Sequence, residues 1–372
     1  MAILEPPTPA APDGAEHGGG PPLRLRRAAL LDALEALRAS DDLPTLRSRL
    51  DDLRAAVVPG GPLWAGATDE AVIFPENLLL AELDQIGAAL TAERARYYAE
   101  RLRKAAQGAR TAAINEIDLN RWKAYDDIFT DSLWLIERRD NSGVHRADYW
   151  GNFVPQIPNQ LMRRYTRRGD WVLDPFAGAG TTLIEGQRLG RNVLGVELQP
   201  KLVERVRGLV AAEPNRHNVI AHVAQGDSTC TDFRALLATQ GAASAQLAVL
   251  HPPYHDIIRF SDDPRDLSNA KSVEAFLDLL GRVVENVAAA LDAGRYLALV
   301  IGDKYVRGEW VPLGFQAMQV VQERGFLLKS IVVKDINGTA GKRSQKELWR
   351  YRALVGGFYV FRHEYMFLFR KR

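Results

Sequence analysis

The sequence contains a single cysteine, Cys230, among 372 residues. One cysteine excludes an intramolecular disulfide framework and a cysteine-rich zinc site, and it is typical of a protein from a reducing compartment. The chain also lacks any apolar run of 18 or more residues, so we expect no membrane span and no membrane partner. The expected location is the cytoplasm.

The net charge is also small, because 48 Lys and Arg residues nearly balance 46 Asp and Glu residues and leave a formal charge of +2. Any basic surface must therefore come from local clusters. The chain is 47% hydrophobic and 25% charged, which is typical of a globular protein with a good core. Its length predicts one or two domains.

The N-terminal third has its own pattern. Pro, Gly and Ala dominate residues 1–22, which predicts a disordered tail. Over 23–137 apolar residues recur at three- and four-residue spacing, which predicts helices within 23–58, 76–106 and 111–137. We interpret 23–137 as a helical module. Its basic residues favour a solvated face, and a phosphate-contacting surface stays open as the alternative.

A glycine-rich segment from Asp174 to Thr182 organises the rest of the chain and reads Asp-Pro-Phe-Ala-Gly-Ala-Gly-Thr-Thr. Its apolar flanks predict a strand, a tight turn and a helix, and glycines there let backbone N–H groups approach a ligand. The segment lacks both a Walker A lysine and the third glycine of the dinucleotide fingerprint. Glu197 ends the next predicted strand, where a carboxylate about 20 residues on is placed to bind ribose hydroxyls.

A second segment, His251-Pro252-Pro253-Tyr254, follows the fourth predicted strand. Two consecutive prolines end a strand and restrict its backbone, so they make a rigid ledge beside an aromatic ring. A flipped base with an exocyclic amine needs such acceptors and such a stacking ring. Asp227 follows the third predicted strand, within range of the adenine of a bound nucleoside. A role as a helix cap is equally open for it.

From Trp171 onward, apolar strands alternate with helical segments. This alternation predicts a mostly parallel, doubly wound sheet, in which the last two strands can pair antiparallel. We place strands near 171–174, 193–197, 219–223, 246–250, 296–301, 329–334 and 364–370.

Together the two segments resemble the S-adenosylmethionine-dependent DNA methyltransferases that modify cytosine N4 or adenine N6. The first matches the family's Asp-Pro-Phe-x-Gly-x-Gly-Thr-Thr at every fixed position, and the second matches Asp/Asn/Ser-Pro-Pro-Tyr/Phe except at His251. The resemblance runs from about Tyr149 to the C-terminus. It implies an α/β fold with a Rossmann-like seven-stranded methyltransferase sheet over 138–372, S-adenosylmethionine as cofactor, DNA as partner and no metal.

The resemblance also implies roles for individual residues. His251 and the Pro252 carbonyl would position the target amine on the Pro252-Pro253 ledge, and Tyr254 would stack on the base. The implied cofactor residues are Asp174, Phe176, Gly178, Gly180, Thr181, Thr182, Glu197 and Asp227. Nucleic-acid contacts are expected from Arg259 and, in the basic segment between the last two strands, from Lys342, Arg343, Lys346 and Arg350. A basic loop without function is the alternative for that segment.

Histidine is unusual at the first position of the second motif. A neutral imidazole accepts a hydrogen bond and a protonated one does not, so we expect activity to fall as the pH drops through the pKa of His251. A flat profile from about pH 5.5 to 8 would count against that role. Histidine also removes the usual indication of the target base, so cytosine N4 and adenine N6 both stay open.

Two other functions remain compatible with these motifs. One is an RNA methyltransferase of the tRNA guanine-N2 type, because the Pro-Pro-Tyr ledge also serves that chemistry. The other is a nucleic-acid-binding relative that has lost turnover, which only His251 suggests. Whether a restriction or other defence partner exists stays open.

Overall fold

The computed structural model describes residues 22–306, 308–336 and 346–372, without the side chain of Lys346. The chain forms two compact units. One extends to Ala112 and includes Ile117–Asp127, and the other comprises Ala113–Glu116 and Ile128–Arg372. Apart from Pro22, the predicted tail lies outside the described residues. The domain boundaries drawn from the sequence remain predictions.

The described part of the first unit combines helices with a two-stranded antiparallel sheet. Its elements are β1 (Pro22–Arg26), α1 (Arg27–Arg38), α2 (Leu43–Ala56), β2 (Ala71–Pro75), α3 (Glu76–Gly87) and α4 (Ala92–Gln107). Leucines at helical spacing in α1 and α2, among them Leu34 and Leu50, form its core. Asp42 caps α2 by accepting from the Thr45 N–H over 2.8 Å.

Two of the predicted helices differ from the structure. The helix predicted over 76–106 is interrupted, because the Thr91 hydroxyl accepts from the Arg94 N–H and begins α4 as a separate helix. The helix predicted over 111–137 is wrong. That range holds a 3-10 segment, Leu119–Ala124, and the short strand β3 (Leu133–Trp134). The Asp118 carboxylate accepts from the N–H groups of Arg110 and Asn120, and such local bonds compete with helix formation.

The basic residues of α4 are largely engaged within the first unit. Arg101 pairs with Glu82, and Arg103 pairs with Glu100 over 2.7 Å. Arg96 donates to the Ser40 carbonyl. These contacts favour the interpretation of this helix face as structural rather than phosphate-binding.

The second unit is built on an eight-stranded sheet in the order β3-β11-β12-β8-β7-β4-β5-β6. Its further elements are α5 (Gln156–Tyr165), β4 (Trp171–Asp174), α6 (Thr181–Leu189), β5 (Asn192–Glu197), α7 (Pro200–Ala212), β6 (Ala221–Gln225), α8 (Phe233–Thr239), β7 (Ala245–Leu250), α9 (Val273–Ala290), β8 (Leu291–Ile301), β9 (Lys304–Val306), β10 (Glu309–Val311), α10 (Leu313–Glu323), β11 (Phe326–Asp335), α11 (Lys346–Gly356) and β12 (His363–Lys371). Strands β9 and β10 form a separate hairpin.

The order of the parallel strands creates a switch point between β4 and β7. Strand β4 pairs in parallel with β5 on one side and with β7 on the other, where Leu173 lies opposite Ala248. The chain therefore leaves β4 and β7 at neighbouring carboxyl ends. In open α/β sheets, ligands bind outside the carboxyl ends at such a switch point.

The predicted α/β fold with a mostly parallel sheet is confirmed, with one correction to the strand count. Among the described residues the sheet has eight strands, because β3, which lies within a predicted helix, pairs in parallel with β11. Strand β12 lies antiparallel between β11 and β8, as the expected pairing of the last two strands requires. Within the described residues, we find no helix with the length and apolar character needed to cross a bilayer.

Candidate active site

A cavity of about 800 Å³ lies at the carboxyl ends of β4 and β7. Its size falls within the range of small-molecule sites. Both sequence motifs contribute to its lining, together with the chain that precedes α5. Among the lining residues are Tyr149, Asn152, Phe153, Phe176, Gly178, Thr181, Glu197, Asp227, His251, Pro252, Pro253, Tyr254, Phe260, Lys334, Trp349 and Glu364.

The turn after β4 depends on glycine at two positions. Gly178 has φ +50° and Gly180 has φ +82°, a region that costs other residues about 1–2 kcal/mol. A Cβ on Gly180 would also lie only 2.8 Å from Cγ1 of Val206 in α7. Gly180 therefore lets α6 begin close against α7, while Gly178 exposes backbone to the cavity.

Glu197 holds this turn at the end of β5. One carboxylate oxygen accepts from the Gly178 N–H over 3.0 Å and the other accepts from the Gln199 N–H over 2.8 Å. Burial raises the pKa of Glu197 to about 7, and the nearby carboxylates of Asp174 and Asp266 add to that shift. Backbone donors thus fix the carboxylate at the cavity wall.

Three of the predicted cofactor residues lie beneath the cavity wall and are not among its lining: Asp174, Gly180 and Thr182. Asp174 accepts from the Phe176 N–H over 3.0 Å and so stabilises the turn. Its burial raises its pKa to about 6. Of the two ways in which Asp174 could serve a ligand, directly or by fixing the turn, these contacts favour the second.

The segment before α5 lies against the glycine-rich turn. The Thr181 hydroxyl donates to Asn152 Oδ1 over 2.6 Å, and the Tyr149 ring lies beside Gly178. In the sequence, residues 151–158 resemble the segment that flanks the methionine end of the cofactor in the same family. The structure places it in the cavity wall.

Asp227 lines the cavity and also caps its own turn. Its Oδ1 accepts from the Thr229 N–H over 2.9 Å and from the Thr229 hydroxyl over 2.7 Å. Both interpretations of Asp227 are therefore geometrically compatible, since the second carboxylate oxygen is not used by these bonds.

The ledge after β7 places an imidazole and a phenol at the opposite wall. His251 Nε2 lies 3.2 Å from the Tyr254 hydroxyl, and the Phe153 ring meets His251 edge-on with centroids 4.8 Å apart. The Tyr254 ring lies over Gly302, where a Cβ would come within 2.9 Å of it. The Phe153 ring and the Gly302 backbone thus pack against these two rings from separate segments of the chain.

Sequence reasoning missed the residues behind Tyr254. The Tyr254 hydroxyl donates to Glu364 Oε2 over 2.8 Å, and the other oxygen of Glu364 lies 3.1 Å from Lys334 Nζ. Lys334 is buried on β11, at the end of the strand predicted near 329–334. A glutamate at the start of the last strand carries no local signal, since only the antiparallel pairing of β11 with β12 brings it to Lys334.

The environment of His251 changes the pH at which it titrates. Burial lowers the pKa of His251 to about 4, because its attraction to Glu364 is too weak to offset desolvation and Lys334 repels the charged form. Burial also disfavours ionised Glu364, but the charge of Lys334 and the hydrogen bond from Tyr254 hold its pKa below the ordinary value. With a pKa of about 4, His251 is neutral from about pH 5.5 to 8, so a flat profile in that range no longer counts against its role.

The residues predicted to contact nucleic acid are only partly described. Arg259 is exposed in the loop after Tyr254 and pairs with Asp262 over 2.8 Å. Arg350 is exposed on α11, whose Trp349 reaches the cavity. Lys342 and Arg343 lie outside the described residues, as does the side chain of Lys346.

Comparison with known proteins places this site in a family context. A family model described as DNA methylase matches residues 88–207, which include the glycine-rich turn and Glu197. The resemblance to DNA methylases is confirmed. This match supports the prediction of S-adenosylmethionine as the cofactor. The glycine-rich turn, the fixed Glu197 carboxylate and the cavity volume fit that molecule.

Curated relatives also match this chain over short segments only. Type II methyltransferase M.MjaII of Methanocaldococcus jannaschii is 38% identical over 75 residues, 20% of this chain and 14% of its own. M.MthZI of Methanothermobacter thermautotrophicus is 35% identical over 79 residues, 21% of each chain. M2.DpnII of Streptococcus pneumoniae is 32% identical over 101 residues, 26% of this chain and 34% of its own.

The chain thus spans only 14 to 34% of the length of these three relatives. Among solved structures, TrmN from Thermus thermophilus aligns with 59% of this chain and 49% of its own at 17% identity and a TM-score of 0.37.

Proposed function

We propose that this protein is a DNA amino-methyltransferase that transfers a methyl group from S-adenosylmethionine to the exocyclic amine of a flipped base, cytosine N4 or adenine N6. One observation carries the proposal. The Gly178 turn and the His251–Tyr254 ledge, about 70 residues apart in sequence, line one cavity at the β4/β7 switch point. A methyl donor and an extruded base can therefore meet there.

At the cofactor end, we assign Glu197 to the ribose hydroxyls and Asp227 to the adenine. Both carboxylates line the cavity and both are oriented by backbone N–H groups. Phe176, Gly178 and Thr181 would contact the cofactor directly. Asp174, Gly180 and Thr182 would support the turn from below. The hydrogen bond between Thr181 and Asn152 would hold the segment before α5 beside the amino-acid end of the cofactor.

At the base end, we assign His251 and the Pro252 carbonyl as acceptors for the target amine. Pro253 holds the ledge rigid, and the Tyr254 ring offers a stacking surface on the side away from Gly302. Two acceptors on one amine orient its lone pair toward the donor and stabilise positive charge on nitrogen as the new bond forms. Bound S-adenosylmethionine would supply an electrophilic methyl group on sulfur, so the protein needs no covalent intermediate.

The test is methyl transfer by the purified full chain. Labelled S-adenosylmethionine is incubated with duplex DNA and, separately, with tRNA, and we expect label in DNA only. Single-molecule sequencing of DNA from cells that express the gene then identifies the modified base and its sequence context.

Other outcomes would replace the proposal. Label in tRNA alone would make the protein an RNA methyltransferase. If the chain binds cofactor but labels neither substrate, and His251→Asp creates activity, the protein is a nucleic-acid-binding relative without turnover.

A further inference from the structure

The buried chain of contacts behind His251 has a defined direction. Lys334, Glu364, Tyr254 and His251 follow one another at 3.1, 2.8 and 3.2 Å. Lys334 also donates to the Asp335 carbonyl over 2.8 Å, which fixes its ammonium group. Glu364 and Lys334 come from the paired strands β12 and β11, so the far end of the chain belongs to the rigid sheet.

The donor and acceptor inventory then permits only one arrangement. A lysine ammonium has donors only, and an ionised carboxylate beside it has acceptors only. The Tyr254 hydroxyl must therefore donate its single proton to Glu364. The phenol oxygen is left as an acceptor, so His251 Nε2 must carry the ring proton.

We propose that Glu364, held by Lys334, is a positioning residue that acts through the Tyr254 hydroxyl to keep His251 in the Nε2–H tautomer, with Nδ1 as the acceptor for the target amine. The part of this inference that concerns the amine rests on the proposed function. It explains how histidine replaces the carboxylate, amide or hydroxyl of relatives: a neutral imidazole accepts only at its unprotonated nitrogen, and the network selects which one that is.

The same logic gives the Tyr254 hydroxyl a role that the ring alone cannot fill. Relatives carry Tyr or Phe at this position, so stacking does not require a hydroxyl. In this chain, Tyr254→Phe keeps the ring and removes the link between Glu364 and His251. Glu364→Gln removes the charge that sets the direction, because a neutral amide can either accept from the phenol or donate to it.

Tautomer state is measured directly, without activity. The full chain is labelled with ¹⁵N at its 7 histidines, and long-range ¹H–¹⁵N spectra separate protonated from unprotonated ring nitrogens. The His251 signals are assigned as those absent from His251→Ala. We expect Nε2–H in the wild type. In Tyr254→Phe and Glu364→Gln, the two His251 nitrogens should move toward each other as both tautomers become populated.

Single-turnover methylation gives the second readout. Both variants should lower the single-turnover rate constant by roughly three- to tenfold, the equivalent of one hydrogen bond, with the Kd for cofactor unchanged. The matched control is Tyr98→Phe, which removes a phenol that accepts from Arg94 on the surface of α4 and should change neither readout. In a His251→Asn background, which has no tautomer to select, Tyr254→Phe should have no further effect.

Failure of the proposed function and failure of the tautomer inference would give different results. Absence of methyl transfer by the wild type would remove the proposed function, and the spectra would still decide the tautomer. An Nδ1–H His251 in the wild type would overturn the inference, as would unchanged spectra and rates in both variants.

Discussion

The backbone N–H of Gly178 donates to Glu197 Oε2 over 3.0 Å, which joins the turn after β4 to the end of β5. This bond holds the carboxylate at the cavity wall, although burial raises its pKa to about 7. The carboxylate assigned to the ribose therefore titrates at a higher pH than an ordinary glutamate. Two of the predictions below follow from this bond.

Cofactor affinity should weaken as the pH falls below about 7. Protonation of Glu197 removes an acceptor for a ribose hydroxyl, so the Kd for S-adenosylmethionine should rise between pH 8 and pH 5.5. Isothermal titration across that range measures the effect. Glu197→Ala should weaken binding by roughly tenfold or more and abolish most of the pH dependence. An equally steep dependence in the variant would assign it to another group.

Glu197 should also lower stability at high pH. Its folded-state pKa lies above the ordinary value, so the folded chain binds more protons than the unfolded chain between about pH 4.5 and 7, and stability falls as the pH rises. The unfolding free energy of Glu197→Gln minus that of the wild type should increase between low and high pH, by roughly 3 kcal/mol at most. Denaturant titrations at pH 4.5 and pH 8 measure this. A constant difference would contradict the raised pKa.

His251 should matter for turnover rather than for cofactor binding. His251→Ala removes an acceptor for the target amine, so kcat should fall by roughly 10²- to 10³-fold while the Kd for cofactor stays unchanged. At saturating cofactor, the wild-type rate should be flat from pH 8 to about 5.5 and fall only near pH 4, where His251 gains a proton. His222→Ala, on β6, is the control variant. A loss of rate centred above pH 6 would contradict the burial of His251.

Gly180 should be harder to replace than a glycine of equal backbone conformation. Gly169 has φ +80° and open space around its Cβ position, whereas Gly180 has φ +82° and Val206 at 2.8 Å. Both alanine variants bear the cost of a positive φ. Gly180→Ala should lose about 1–3 kcal/mol more in unfolding free energy because α6 and α7 must separate. Equal losses would show that α7 shifts freely.

Arg259 and Arg350 should contribute to DNA affinity without selecting sequence. Both guanidinium groups are exposed, one in the loop after the ledge and one on α11. Each alanine variant should weaken binding to any duplex and reduce the slope of log K against log salt by about 1. Fluorescence anisotropy at several salt concentrations gives the slope. A change confined to one DNA sequence would indicate base contact instead.

Much of the site was predictable because its chemistry is local in sequence. Glycines at 178 and 180 and prolines at 252 and 253 act through their own backbone geometry, and the carboxylate at 197 follows directly from the end of the predicted strand. The helix predicted over 111–137 failed for the opposite reason. Apolar spacing indicated a helix, and the Asp118 side chain satisfied local backbone donors in another conformation.

The sequence by itself determined the strand-and-helix alternation, the two motifs and the expectation that they share one site, because these depend on residue type and short-range periodicity. Only the tertiary structure decided which groups stand behind the motifs. Glu364 reaches Tyr254 from 110 residues away, and Lys334 reaches Glu364 through an antiparallel register. Desolvation in that packed interior sets the pKa of His251. Contacts between strands that are far apart in the chain cannot be read from the spacing of residues in the sequence.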